Sequence, residues 1–474
     1  MQKKIDWIKA HGWDVLIWGM IAFFSLLYIS LIFNQNIWTD EAFTLQLVKG
    51  NLKEIVQGTA NDVHPPLYYF YSKLFYDITN GSLWVQKFIT IIPQVLTYIL
   101  IATFLRKKTE NGCKAVYLTL LFFTCIPCTM EFTVQVRMYS LALLFVTMCG
   151  LFAYEAYSED TKRAWIFLVI GALGAAYTHY FAFVSIVVIV GFLFLAILFT
   201  KRKLFGKWAV AAVCMIVGYL PWMKYFIEQV TRVRESYWIP PITAEVIWSY
   251  FTWTFDLGLV PGAVYVILAI LVVACVIILV NMNRKREKED VAALLAMLVP
   301  TITVLLGVII SLRKSPIYRD QYVFPSLMLL AVFVGLAFRK ANGKVIVLIS
   351  AFMLFVGAVQ YKECFRQEYR STYIDKTLAF FEENCDEDDI ILYNMEPMDF
   401  IYRLYFPDVE MHYIREFDLS QDFETIWFMD TFNQWPITQL DLINNGLTME
   451  FIGLYGIEHN EFNLYKVYRV EQPE

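Results

Sequence analysis

"YFAFVSIVVIVGFLFLAILFTKRKLFGK", residues 180–207, runs for twenty-one positions without a charge and then sets four basic residues within seven. At 1.5 Å per residue such a helix crosses the roughly 30 Å hydrocarbon core of a bilayer, and Lys201, Arg202, Lys203 and Lys207 halt it at a headgroup surface. The rest of the chain follows suit. Of 474 residues 58% are hydrophobic, 17% aromatic and only 18% charged, and mean hydropathy is +0.51, whereas a soluble domain carries about 25% charged residues. A polytopic membrane protein is expected. Its net charge of −5 offers nothing to nucleic acid.

Apolar runs long enough to span fall at 14–34, 83–105, 115–131, 138–157, 164–179, 180–200, 208–227, 258–281, 291–312, 321–338 and 344–361, eleven in all. The third and fifth are short, and a tight turn at "YTHYF" must part the fifth from the sixth. No small-residue cleavage site follows the first run, so it reads as a retained span. Basic residues gather in the N-terminal tail (Lys3, Lys4, Lys9), in "RKKTENGCK" (106–114), "SEDTKRA", "KRKLFGK", "NRKREKED" and "RKANGK". With eleven spans these segments alternate onto one side, which the positive-inside rule assigns to the cytoplasm. The loop 35–82, the turns "EFTVQVR" and "YTHYF", the loop 228–257, "RKSPIYRD" and the C-terminal region then lie outside. Cysteines add little. Cys113, Cys125, Cys128, Cys149, Cys214 and Cys275 suit packing in spans or short loops, the Cys125/Cys128 pair lacks a second pair for a metal, and Cys364 and Cys385 are candidates for a disulfide.

The outer segments hold the chemistry. "WTDEAFTLQLV", 38–48, reads as a short helix capped by Thr39, with Asp40 and Glu41 in its first turn and Ala42, Leu45, Val48 and Leu52 recurring on one apolar face. "NLKEIVQG" starts a second, and the pair suits helices lying on a membrane surface. "NDVHPPL", 61–67, places Asp62 and His64 before Pro65-Pro66, where the backbone is stiff and extended. Helix-start roles for the carboxylates and a hydrogen-bonding role for the histidine are the plain structural readings. Their concentration in one loop suggests an acidic pocket at the membrane edge. Arg137 in "VRMYSL" and Arg319 in "SPIYRDQY" sit at outer ends of spans, where a charge costs enough to be placed for a reason or else snorkels to headgroups.

"WTDEAF", "DVHPPLYY" and "VRMYSL", in this order around the first spans, resemble the lipid-dependent membrane glycosyltransferases of the GT-C type, among them the protein O-mannosyltransferases and bacterial lipid A aminoarabinose transferases. The resemblance covers most of residues 14–340, its specific motifs 38–68 and 135–140. The chain departs from the mannosyltransferase pattern at Tyr68-Tyr69, where those proteins carry Gly-Lys. The resemblance implies an all-α polytopic bundle, a carboxylate pair in the first outer loop and a polyprenyl-phosphate sugar donor.

Transfer from such a donor needs a base for the acceptor hydroxyl, a cation for the leaving phosphate and a groove for the lipid. Asp40 is the expected base, with Glu41 orienting the acceptor. Arg137, Tyr139 and Arg319 are expected phosphate contacts; Asp62, His64 and the pair His179-Tyr180 complete the substrate site. Asp40, Glu41, Asp62 and His64 are also hard or borderline metal ligands, so a divalent cation stays open. In the loop 228–257, Arg232, Arg234, Tyr237 and Trp238 suit a gate over the lipid groove, an acceptor path or an aromatic belt. Composition turns charged after Tyr361, and "IILYN", "EMHYI" and "TIWFMD" read as strands, "PMDFIYRLYF" and "PITQLDLINN" as helices, and "FIGLYGI…NLYKVYRV" as a hairpin. The expected organisation is therefore a membrane domain, 1–361, with a catalytic outer loop 35–82, and a small extracytoplasmic α/β domain, 362–474. The expected activity moves a sugar to a glycan, lipid or protein acceptor on the outer face. A transporter or flippase of lipid-linked sugars is the runner-up, although transporters place charged groups at the midplane between repeats. A noncatalytic assembly subunit is a third reading.

Overall fold

The computed structural model describes residues 2–32, 37–235, 239, 242–258, 260–285, 287–313, 315–366, 373–386, 388–458 and 460–469. Its helices are α1 (Gln2–Leu31), α2 (Thr39–Leu47), α3 (Leu52–Asn61), α4 (Leu67–Ile78), α5 (Leu83–Lys108), α6 (Gly112–Thr124), α7 (Pro127–Val134), α8 (Tyr139–Glu159), α9 (Lys162–Ala176), α10 (Tyr180–Thr200), α11 (Phe205–Glu235), α12 (Ala244–Thr252), α13 (Ala263–Arg284), α14 (Lys288–Arg313), α15 (Leu327–Ala337), α16 (Gly343–Arg366), α17 (Ile374–Asn384), α18 (Asp399–Tyr405) and α19 (Gln439–Asn445). The chain forms two compact units, Met1–Phe33 with Gly50–Cys364, and Asn34–Lys49 with Phe365–Glu474.

The first unit is the helical bundle. Among the described residues every apolar run of the sequence carries helix in it. Among the described residues nine helices are long and apolar enough to cross a membrane. The run 115–131 is not one rod. Pro127 has no N–H to give and forces Ile126 into an extended conformation, so α6 and α7 meet at 75° and together make a tenth candidate span. The fifth run, 164–179, forms α9, which has only 15 residues, about 22 Å of helix, and is not among the candidate spans. Its Gly171 lies so close to α8 that a Cβ there would come within 2.8 Å of the Cys149 nitrogen, the close packing that small residues allow between membrane helices. The run beginning at 258 becomes helical only at Ala263, past Pro261-Gly262.

Five of the six basic segments are tied together at one end of this bundle, and α1 joins them through Asp14. Arg106 pairs with Asp14, Lys108 with Glu159 (2.5 Å), Arg163 with Glu155 (2.9 Å) and Lys207 with Asp160 (2.7 Å). Lys340 joins Glu110 and Glu287, both at 2.8 Å. The fully buried Arg339 bridges Glu287 and Asp290, also at 2.8 Å. The alternation inferred from Lys/Arg counts is thus a physical clustering of the loops.

The second unit is built on a five-stranded sheet of order β2-β1-β3-β5-β4, with β1 (Ile390–Tyr393), β2 (Glu410–Tyr413), β3 (Ile426–Asp430), β4 (Leu447–Ile457) and β5 (Asn460–Arg469). β1 pairs in parallel with β2 and β3, and β5 runs antiparallel to β3 and β4. β1 and β3 are buried at every position, as continuous apolar strands between covered faces should be. α18 crosses over between the parallel β1 and β2. This unit also takes α2 from the first outer loop. α2 contacts α18, and Phe43 meets Phe400 edge to face with ring centroids 5.2 Å apart. Ala42, Leu45 and Val48 are buried against protein, so α2 is not a helix lying bare on a lipid surface; Leu52 does not continue that face, because it begins α3 beyond the break at Gly50-Asn51 and is exposed. Cys364 and Cys385 are free thiols.

Candidate active site

The bundle end away from the basic loops gathers most of the polar residues expected there. Tyr139 and Glu159 are the first and last residues of α8, about 30 Å apart, so the two clusters occupy opposite ends.

The scaffold is local. Asn51 caps α3, its Oδ1 accepting from the Lys53 and Glu54 amides while the Glu54 carboxylate accepts from the Asn51 amide at 2.8 Å. α3 ends at Asp62, and Pro66 starts α4. Between them the elbow is pinned twice. The Leu67 amide donates to the Tyr177 carbonyl at 2.9 Å. Gln229 of α11, 1% exposed, donates its amide to the carbonyls of Thr59 (2.7 Å) and Asp62 (2.9 Å), and Arg232 donates to those of Ala60 and Asp62. Arg232 therefore braces the elbow rather than forming a gate. Tyr237 and Trp238, with Pro240-Pro241, lie outside the described residues.

On this elbow His64 Nδ1 stands 2.7 Å from Asp62 Oδ2, with the side chains 12% and 30% exposed. Burial alone would raise the Asp62 carboxyl. The adjacent His64 and the Arg137 guanidinium outweigh it and hold the carboxyl below its usual range. Arg137, 3% exposed in the turn before α8, donates from Nη1 to the buried Tyr69 hydroxyl at 3.4 Å. The His179 ring lies 6.0 Å from the rings of both His64 and Tyr139, and 5.1 Å from Tyr322. His179 Nδ1 accepts from the Phe181 amide at 3.1 Å and caps α10, which puts the proton of the neutral ring on Nε2.

Asp62, His64, Arg137, Tyr139 and His179 thus converge. Tyr180 turns toward α11: its hydroxyl donates to Gln229 and accepts from the Trp222 indole at 3.1 Å. Arg319 is half-buried at the start of the segment whose Tyr318 and Tyr322 pack on Phe181. Tyr69, Gln229 and Tyr322 were not singled out from sequence. The departure from Gly-Lys at 68–69 was the only signal for Tyr69. Asp40 and Glu41 belong to the sheet unit. α2 begins at Thr39 with Trp38 as its cap position, so Thr39 is not the cap; Glu41, buried, accepts from the Trp38 amide at 3.2 Å, while Asp40 is half-buried. Among the described residues no three His, Cys, Asp or Glu side chains are grouped to hold a metal ion.

Among the described residues the chain thus holds a bundle of nine to ten candidate spans and a five-stranded sheet unit. Residues 63–225 of the bundle match the family described as Dolichyl-phosphate-mannose-protein mannosyltransferase. Over nearly its whole length the chain is similar to ArnT from Cupriavidus metallidurans. The crystal structure of that protein bound to undecaprenyl phosphate superimposes with a TM-score of 0.66 at 12% identity, and its apo structure with 0.67 at 11%; each comparison covers 96% of this chain and 98% of the other. No curated protein sequence matches this chain.

Proposed function

We propose that this chain is a membrane glycosyltransferase that moves a sugar from a polyprenyl-phosphate donor to an acceptor, and that it acts at the bundle end carrying Asp62, His64 and Arg137. The observation that carries the reading is the convergence of the buried Arg137 with Asp62, His64 and His179 on the His-Pro-Pro elbow, at the edge of the family-matched segment. The donor class is supported by the family description and by the undecaprenyl phosphate bound to the similarly folded ArnT. In the reaction the anomeric C–O bond to phosphate breaks, its electron pair leaves with the polyprenyl phosphate, and the acceptor oxygen bonds to the anomeric carbon. Arg137 neutralises the leaving phosphate. His64, oriented through Nδ1 by Asp62, offers Nε2–H to a phosphate oxygen when protonated. His179 Nε2–H is a further donor, and Tyr139 lines the same cluster. Arg319 supplies a second cation for the phosphate, and Tyr180 holds the acceptor side through Gln229. Asp40 takes the acceptor's proton and Glu41 keeps its helix start in place. A cleft of about 500 Å³ between α3 and α11, whose lining mixes Lys53, Gln57, Asn61, Glu228 and Arg232 with Val56, Ala60 and Tyr225, supports acceptor access beside the elbow.

By the positive-inside rule the ion-paired basic end faces the cytoplasm, and the cluster and C-terminal domain face outside. The test of the base is Asp40→Asn in purified protein with a labelled polyprenyl-phosphate sugar. Donor binding persists and transfer is lost; full turnover would remove Asp40 from the mechanism. Translocation of donor without sugar transfer by the parent protein would favour a flippase instead.

A further inference from the structure

At the basic end, remote from the cluster above, a groove of about 610 Å³ opens between α5, α8, α10, α14 and α15. That volume lies within the roughly 300–1,000 Å³ of small-molecule sites. Lys108, Lys201, Lys288 and Ser158 stand at its mouth with one acid, Glu289, and its floor is apolar, reaching Gly150, Ile189, Val299 and Leu329. From mouth to floor, Lys201 to Ile189 along α10 spans about 18 Å and Lys288 to Val299 along α14 about 16 Å, close to half of a roughly 30 Å hydrocarbon core. The groove is therefore as deep as one leaflet. Two of the lysines are held at the rim by neighbours: Lys108 by Glu159, and Lys201 by the Tyr157 carbonyl at 2.7 Å. Lys288 is exposed and has no ion-pair partner among the described residues, and the buried Ser158 hydroxyl has no hydrogen-bond partner among them.

We propose that this groove binds an anionic glycerophospholipid of the leaflet at the basic end, one acyl chain along the floor and the phosphate against Lys288, Lys201 and the Ser158 hydroxyl. A basic mouth over an interhelical apolar groove recognises such headgroups. With Lys108 already paired to Glu159, Lys201 and Lys288 against Glu289 leave the mouth net positive, which favours an anionic lipid over a zwitterionic one of the same chains.

The test is native mass spectrometry of the purified full chain with phosphatidylglycerol or phosphatidylcholine of matched acyl length. One phosphatidylglycerol is retained under activation that strips phosphatidylcholine. Lys288→Gln lowers that preference about fivefold. Ala292→Phe, which fills the groove, abolishes retention of both while the melting temperature stays near the parent's. Equal retention of the two lipids, retention untouched by Ala292→Phe, displacement by glycerol phosphate alone, or displacement by a polyprenyl phosphate would each overturn the assignment.

Discussion

Arg137→Gln tests the site most directly, because two independent readouts follow from one buried guanidinium. Arg137 donates to Tyr69 and its charge helps hold the Asp62 carboxyl down. Loss of a charge-assisted contact to a leaving phosphate in a closed site lowers kcat by about 10²–10³. Arg137→Lys keeps the charge, loses the planar fork and falls between the two. The second readout is acid stability. A carboxyl whose folded-state pKa is depressed stabilises the fold above its unfolded value, near pH 4, and that contribution disappears as pH falls through the lower folded value. Without Arg137 the counterweight to burial is left to His64 and the Val63 backbone amide, the Asp62 pKa rises, and the acid limb of a melting-temperature profile moves to higher pH. Steady-state transfer with labelled donor and melting between pH 3 and 7 measure both. Transfer within about twofold of the parent, with an unmoved acid limb, would refute the electrostatic reasoning.

Other outcomes follow from single contacts. A Phe43→Ala/Phe400→Ala double-mutant cycle on the stability of the sheet unit gives a coupling of about 0.5–1.5 kcal/mol for the edge-to-face pair, and Phe400→Ala lowers kcat more than it raises KM for donor if α2 carries the base. Arg339→Ala leaves Asp290 buried and unneutralised and costs about 3–5 kcal/mol in denaturant or thermal unfolding, whereas Arg339→Met with Asp290→Leu costs far less. Burial, then Asp389 and Asp386, push the Cys385 thiol up to about 11. Its thiolate fraction at pH 8 is about 100-fold below that of an ordinary thiol, and mass-spectrometric alkylation rates there rise about tenfold per pH unit.

The bundle was legible because membrane insertion imposes a length and a composition that local sequence must satisfy by itself. Residues 180–200 could hardly be anything but a span, and the Lys/Arg segments foretold a common end that the Asp14–Arg106, Glu110–Lys340 and Asp160–Lys207 pairs now realise. The sheet unit was equally readable, since β1 and β3 are continuous apolar strands between helices of opposite periodicity. What failed were features set by partners. Pro127 marks a break in sequence, yet the 75° turn depends on what α6 and α7 pack against. Gln229 looked like one more polar residue at the end of a helix, and only the fold shows it bonded to the backbone of the elbow 167 residues earlier.

The carboxylate helix shows why such failures concentrate at a site. An apolar stripe of Ala42, Leu45 and Val48 states that α2 must be covered, and a lipid surface and a protein surface satisfy that demand equally. The charge pattern does not separate them either, because Asp40 and Glu41 suit any helix start. The choice is made by α18, whose Phe400 receives Phe43, and α18 lies some 350 residues downstream. The first part of the outer loop 35–82, through Lys49, is therefore held by the sheet unit, while α3 and α4 stay with the bundle. If Asp40 is the base of the proposed transfer, removing the rest of the sheet unit takes away the support of the helix that carries the proton acceptor, and labelled-donor assays show transfer lost even where the bundle still binds donor.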